Sequence, residues 1–92
     1  MSEVRRTCTI VNQRGLHARA SAKFVNAVAA LPEGCRVRVA AGGNEAGGGS
    51  ILGLMMLGAA KGDTVEVIVA GEDAPAVLDR LCAMIDDGFG ES

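Results

Sequence analysis

Residues 64–70, Thr64-Val65-Glu66-Val67-Ile68-Val69-Ala70, combine alternation with β-branched residues and predict the clearest strand of the chain. Cys35-Arg36-Val37-Arg38-Val39 alternates just as cleanly, giving a strand with one wet and one buried face. Residues 4–11 read the same way, with Val4, Cys8 and Ile10 on one parity and Arg5, Thr7 and Thr9 on the other. Between these strands the period changes. Ala20, Phe24, Val28 and Leu31 recur at helical spacing, opposite Arg19, Lys23 and Asn26, and predict a helix from 18 to about 31. Pro32-Glu33-Gly34 stops it. A last helix has Leu78, Leu81 and Ile85 inside and Asp79, Arg80 and Asp86 outside, with Asp73 as its expected cap and Pro75 in its first turn. Residues 50–57 form a short helix that is apolar on nearly every side and is capped by Ser50. The glycine-rich residues 41–49 are either a short edge strand or a loop throughout.

The order is therefore strand, helix, strand, weak strand, short helix, strand, helix. Strands that alternate have one apolar face each, so a single layer of helices can cover the sheet and leave its other side to water. An open-faced α+β sandwich follows, as one domain over residues 1–92.

Composition narrows the function. Apolar residues make up 49% of the chain and charged residues 22%, as in an ordinary folded domain. A net charge of −2, with Phe24 and Phe89 as the only aromatic residues, speaks against a nucleic-acid binder, which needs a basic face and stacking rings. No apolar run reaches the ~18 residues of a membrane span, and no secretory signal opens the sequence. The odd set Cys8, Cys35 and Cys82 lacks Cys-x-x-Cys spacing. These cysteines are expected to pack as small apolar residues in a reducing cytoplasm.

The candidate chemistry lies at Gly15-Leu16-His17-Ala18-Arg19-Ala20-Ser21-Ala22, which holds the only histidine. His17 stands at or next to the N-cap of the first helix, where free N–H groups and the helix dipole favour an anion. Histidine is not a preferred capping residue, so a purely structural cap would more naturally be Ser, Thr, Asp or Asn. A neutral imidazole is a nucleophile near pH 7 and can take a phosphoryl group on one nitrogen while the other stays protonated. The planar fork of Arg19 and the N–H groups around Ala18 suit phosphate oxygens. A cation at Arg19 is unfavourable beside a helix N-terminus unless an anion visits.

Gly15-Leu16-His17-Ala18-Arg19, the amphipathic helix after it and Ser50-Ile51-Leu52-Gly53-Leu54-Met55 closely resemble HPr, the histidine-containing phosphocarrier family of the bacterial phosphoenolpyruvate-dependent phosphotransferase system. The resemblance covers nearly the whole chain. It implies a four-stranded antiparallel sheet covered on one face by three helices, and phosphoryl transfer through His17, on the ring nitrogen nearer the backbone. It further implies Enzyme I as donor, EIIA-type domains as acceptors, and Ser50 as a regulatory target of an HPr kinase/phosphorylase. Two stretches depart from the family. Ala20 stands where the family usually has proline, and Gly47-Gly48-Gly49 replace more substantial residues. The Arg-Ala-Ser-Ala-Lys-Phe run looks more like the nitrogen-regulatory branch than the sugar-transport carriers, and both pathways stay open.

In the short helix, Leu54 and Leu57 can face the core while Ile51, Leu52 and Met55 point elsewhere, forming a patch suited to partner docking. Two rival readings remain. An enzyme with His17 as general base wants a second titratable group and a pocket, and no second histidine exists. A regulatory interaction module would dock through the helix over 51–56 and leave His17 incidental. No metal site is expected from one histidine and scattered cysteines, and no cofactor. The expected protein is a cytoplasmic monomer.

Overall fold

A computed structural model of the chain describes residues 3–91. Its elements are β1 (Glu3–Thr9), α1 (Ala18–Ala29), β2 (Arg36–Ala41), β3 (Asn44–Gly47), α2 (Ile51–Met56), β4 (Thr64–Ala70), α3 (Ala74–Asp86) and a closing 3₁₀ turn (Gly88–Gly90). The sheet is antiparallel throughout, in the order β1-β4-β2-β3. The open-faced α+β sandwich expected from the alternation is the observed fold.

β4 pairs on both sides, so the alternation of its residues decides which layer each side chain enters. Val65, Val67 and Val69 enter a core shared with Phe24, Leu54, Val77, Leu81 and Ile85. Ile68 has the opposite parity, between Arg5 and Arg38 on the open face, yet it is only 3% exposed. The stems of the two arginines shelter it while their heads stay in water. Glu3 accepts from Arg5 at 2.6 Å and from Arg38 at 2.7 Å; Arg5 also reaches Glu66 and Arg38 reaches Glu45. Hydrogen bonding from Arg5 opposes the cost of burial and, with a further bond from Arg38, holds the Glu3 carboxyl below its ordinary pKa. The solvated arginine face expected on β2 is thus a charged lattice across all four strands, with Arg36 exposed at its margin.

Several boundaries shift. β1 ends at Thr9 rather than Val11, because Ile10 leaves the ladder to exchange backbone bonds with Gly62 and Asp63, and Val11 is exposed. α1 stops at Ala29, its last turn tightened by a Leu31 N–H bond to the Val28 carbonyl. Residues 44–47 form the edge strand, the first of the two alternatives. Asp73 precedes α3 but does not cap it with its side chain. Its backbone is left-handed (φ 57°), whereas a capping side chain needs an extended residue. Ser50, with extended backbone, does cap α2, its Oγ accepting from the Gly53 N–H at 2.9 Å.

The cysteines are free. Cys8 and Cys82 are buried, and Cys35 packs half-buried against the core. Burial, with the neighbouring Cys82 thiol acting in the same direction, pushes the Cys8 thiol up to about 12, which leaves it without thiolate character. Their role is packing.

Candidate functional site

The loop between β1 and α1 is pinned by its backbone. Gly15 takes φ +62°, and a Cβ there would lie 2.4 Å from the Ala59 carbonyl oxygen, so only glycine fits. That approach lets the Leu16 N–H donate to the same oxygen at 3.0 Å, while the Gly15 N–H returns to the Asn12 carbonyl. Leu16 is then buried in the core and His17 falls at the N-cap of α1, with extended backbone. Its carbonyl accepts from the Ser21 N–H at 2.9 Å, and its ring makes no capping bond. Ser21 is itself fully buried and donates its hydroxyl to the Leu16 carbonyl.

The ring is engaged elsewhere. His17 Nε2 lies 2.6 Å from Oε2 of Glu91, 74 residues away in sequence, and the side chains are 14% and 18% exposed. The other Glu91 oxygen accepts from Asn12 Nδ2 at 3.0 Å, and the same Nδ2 donates to the Gly15 carbonyl at 2.8 Å. Desolvation works to raise the Glu91 pKa. The bonds from Asn12 and His17, with the nearby charges of His17 and Lys23, outweigh it and hold the group below its ordinary value. An ionised carboxylate can only accept, so the proton in the short contact belongs to Nε2. A neutral ring then carries its lone pair on Nδ1.

Gln13, Arg14, His17, Arg19, Lys23, Gly90 and Glu91 line one open cavity of about 360 Å³. Three cationic side chains and one carboxylate surround the imidazole there, a charge balance suited to a dianionic group. Arg19 is exposed and enters no ion pair among the described residues, so its fork is available. Ala18, the first helical residue, is exposed but does not line the cavity, so it can offer an anion only its backbone N–H.

α2 presents the expected apolar surface. Leu54 is buried and Leu57 packs half-buried on the core, while Ile51 (40%), Leu52 (67%) and Met55 (39%) are exposed. Met56, exposed to 76%, extends the patch beyond the residues expected. Neither this patch nor Ser50 lines the histidine cavity.

A family model described as the PTS HPr component phosphorylation site matches residues 4–87. The chain belongs to the HPr family. Among its relatives is a phosphocarrier protein NPr from Shewanella violacea, 38% identical over 92 residues that cover 100% of this chain and 99% of the relative. A phosphocarrier protein HPr from Cupriavidus necator is 39% identical over 88 residues, 96% of this chain and 97% of that one. Among solved structures, an HPr from Thermoanaerobacter tengcongensis superposes with a TM-score of 0.86 at 33% identity, covering 100% of this chain and 99% of that one. HPr proteins carry phosphoryl groups rather than catalyse turnover, which weighs against the enzyme reading.

Reasoning from the sequence missed Asn12, Lys23 and Glu91 at this site. Only a second histidine was looked for as the partner group of His17; the titratable group that attends it is the carboxylate of Glu91, at 2.6 Å. One signal was available. Phe89, one of two aromatic residues, stands between glycines near the end of the chain, and a buried aromatic there requires the tail to fold back.

Proposed function

We propose that this protein accepts a phosphoryl group on His17 from phosphorylated Enzyme I and passes it to an EIIA-type acceptor, in sugar uptake or nitrogen-related regulation. The observation that carries the reading is the occupation of Nε2 by the Glu91 carboxylate, at a helix N-cap inside a cationic cavity. With Nε2 engaged, Nδ1 is the nucleophile. Transfer of this kind depends on positioning and charge stabilisation, which Arg19 and the first-turn N–H groups supply. Membership of a phosphocarrier family supports the same chemistry.

The exposed face of Ile51, Leu52, Met55 and Met56 is the docking surface for donor and acceptors, since methionine adapts to several partners. Ser50 is a second, regulatory phosphorylation site for an HPr kinase/phosphorylase. A phosphate there would keep a cap for α2 and set close to two negative charges beside the apolar patch. Donor and acceptors of this kind place the carrier in the cytoplasm. No helix among the described residues is long and apolar enough to cross a membrane.

Incubation with phosphoenolpyruvate and Enzyme I tests the proposal. Stoichiometric, acid-labile label is expected on the wild type and none on His17→Ala. Label that survives in His17→Ala overturns the assignment. An unlabelled wild type would point to an interaction module, and turnover of a small molecule to an enzyme.

A further inference from the structure

The chain after α3 takes an unusual path. Gly88, Phe89 and Gly90 all have left-handed backbones, with φ of 65°, 57° and 73°. Phe89 has a Cβ, so its conformation is unfavourable and must be held by its surroundings. Its ring is held by the core, at 3% exposure. Its carbonyl is held by Lys23, whose Nζ donates to it at 2.7 Å from the second turn of α1. Together these reverse the chain so that Glu91 returns to His17 instead of continuing along the axis of α3.

We infer that Lys23 is a positioning residue for phosphoryl transfer, because its bond to the Phe89 carbonyl keeps Glu91 on Nε2 of His17 and so presents the Nδ1 lone pair. The inference rests on the phosphocarrier reading above. As the Nδ1–P bond forms, the donor's bond to phosphorus breaks and its electron pair leaves with the donor. The Nε2 proton stays on the ring, and the positive charge gained by the ring faces the Glu91 carboxylate. A strap that loosens removes both effects, since the proton can then move to Nδ1 and the new charge loses its partner. Lys23 lines the histidine cavity without touching the ring or Nδ1 in any hydrogen bond, so it acts through the strap.

The full chain carrying Lys23→Met keeps the side-chain stem and loses the ammonium. Nitrogen-15 NMR of the imidazole reads the tautomer directly, and single-turnover labelling by phosphorylated Enzyme I gives the rate. We expect nearly all of the neutral wild-type ring to be protonated on Nε2, and a mixture of tautomers in Lys23→Met. Transfer at saturating donor should slow about 5-fold, the factor one ordinary hydrogen bond is worth, with the half-saturating donor concentration unchanged. Lys23→Arg, which can still donate to the carbonyl, should restore both. An unchanged tautomer in folded Lys23→Met overturns the inference, as does a defect confined to the half-saturating concentration. Wild type that takes no label at all would instead sink the phosphocarrier reading, and the tautomer comparison would still decide whether Lys23 holds the ring.

Discussion

Replacing Gly15 by alanine tests how the histidine is placed. Two costs separate cleanly in this structure. The first is conformational: φ is +62°, and a side chain in that region costs about 1 kcal/mol or somewhat more. The second is steric. The new Cβ would lie 2.4 Å from the Ala59 carbonyl oxygen and 2.9 Å from the Ala60 Cα, so backbone rather than a flexible side-chain end must move. Moving it endangers the bond from the Leu16 N–H to the same oxygen, worth about 1 kcal/mol. The sum is about 2–3 kcal/mol. With a urea dependence of roughly 1 kcal/mol/M for a chain of this size, the unfolding midpoint should fall by about 2–3 M. Gly43→Ala provides the control, because its φ is +85° and nothing lies within 4 Å of a Cβ there. It should cost only the conformational part, about 1 kcal/mol. Labelling of His17 by Enzyme I should slow in Gly15→Ala and stay normal in Gly43→Ala. If urea titration gives the two variants the same loss, the close approach to Ala59 is not what holds the loop, and the reasoning fails.

Arg19→Ala should leave the unfolding midpoint unchanged, since the side chain is exposed and unpaired among the described residues, yet slow labelling of His17 by ~10-fold or more; a wild-type rate would make it a spectator. Ser50→Ala should cost about 1 kcal/mol through loss of the cap on α2 while still accepting phosphoryl, whereas Ser50→Asp should stay folded and accept it poorly. Should neither variant alter transfer, Ser50 is a cap and nothing more. Acid should weaken the strap. The Glu91 pKa is lowered in the folded protein, so its contribution to stability is present above the ordinary carboxylate range and is lost as pH falls through the depressed value. Glu3, lowered by Arg5 and Arg38, adds in the same direction. Chemical denaturation between pH 7 and pH 3 should show stability falling most steeply on the acid side, and Glu91→Gln should flatten part of that slope; an identical slope in the variant would deny Glu91 any share.

Reading the sequence alone located the three α-helices and three of the four strands, one strand to the residue; residues 41–49 stayed open between an edge strand and a loop, and the closing 3₁₀ turn was not foreseen. β4 was legible because a strand buried on one face must alternate, and its valines do. α1 was legible because a helix on a sheet must carry a stripe, and Ala20 and Phe24 begin one. His17 at a strand-to-helix junction and Ser50 before an apolar turn are local facts, set by neighbours a few residues away, and both stand where the pattern put them. Ile68 shows the limit. Its apolar character broke the alternation, and only the register across three strands reveals that two arginines shelter it. The site itself depended still more on tertiary structure. Asn12 and Glu91 are 79 residues apart and His17 and Glu91 are 74 apart, so no periodicity relates them. They meet because α1 and α3 share one face of the sheet and three left-handed residues turn the tail back. Sequence singled out the residue proposed as the nucleophile. The folded chain decided which of its two nitrogens is free, because that depends on a carboxylate delivered from the far end of the chain.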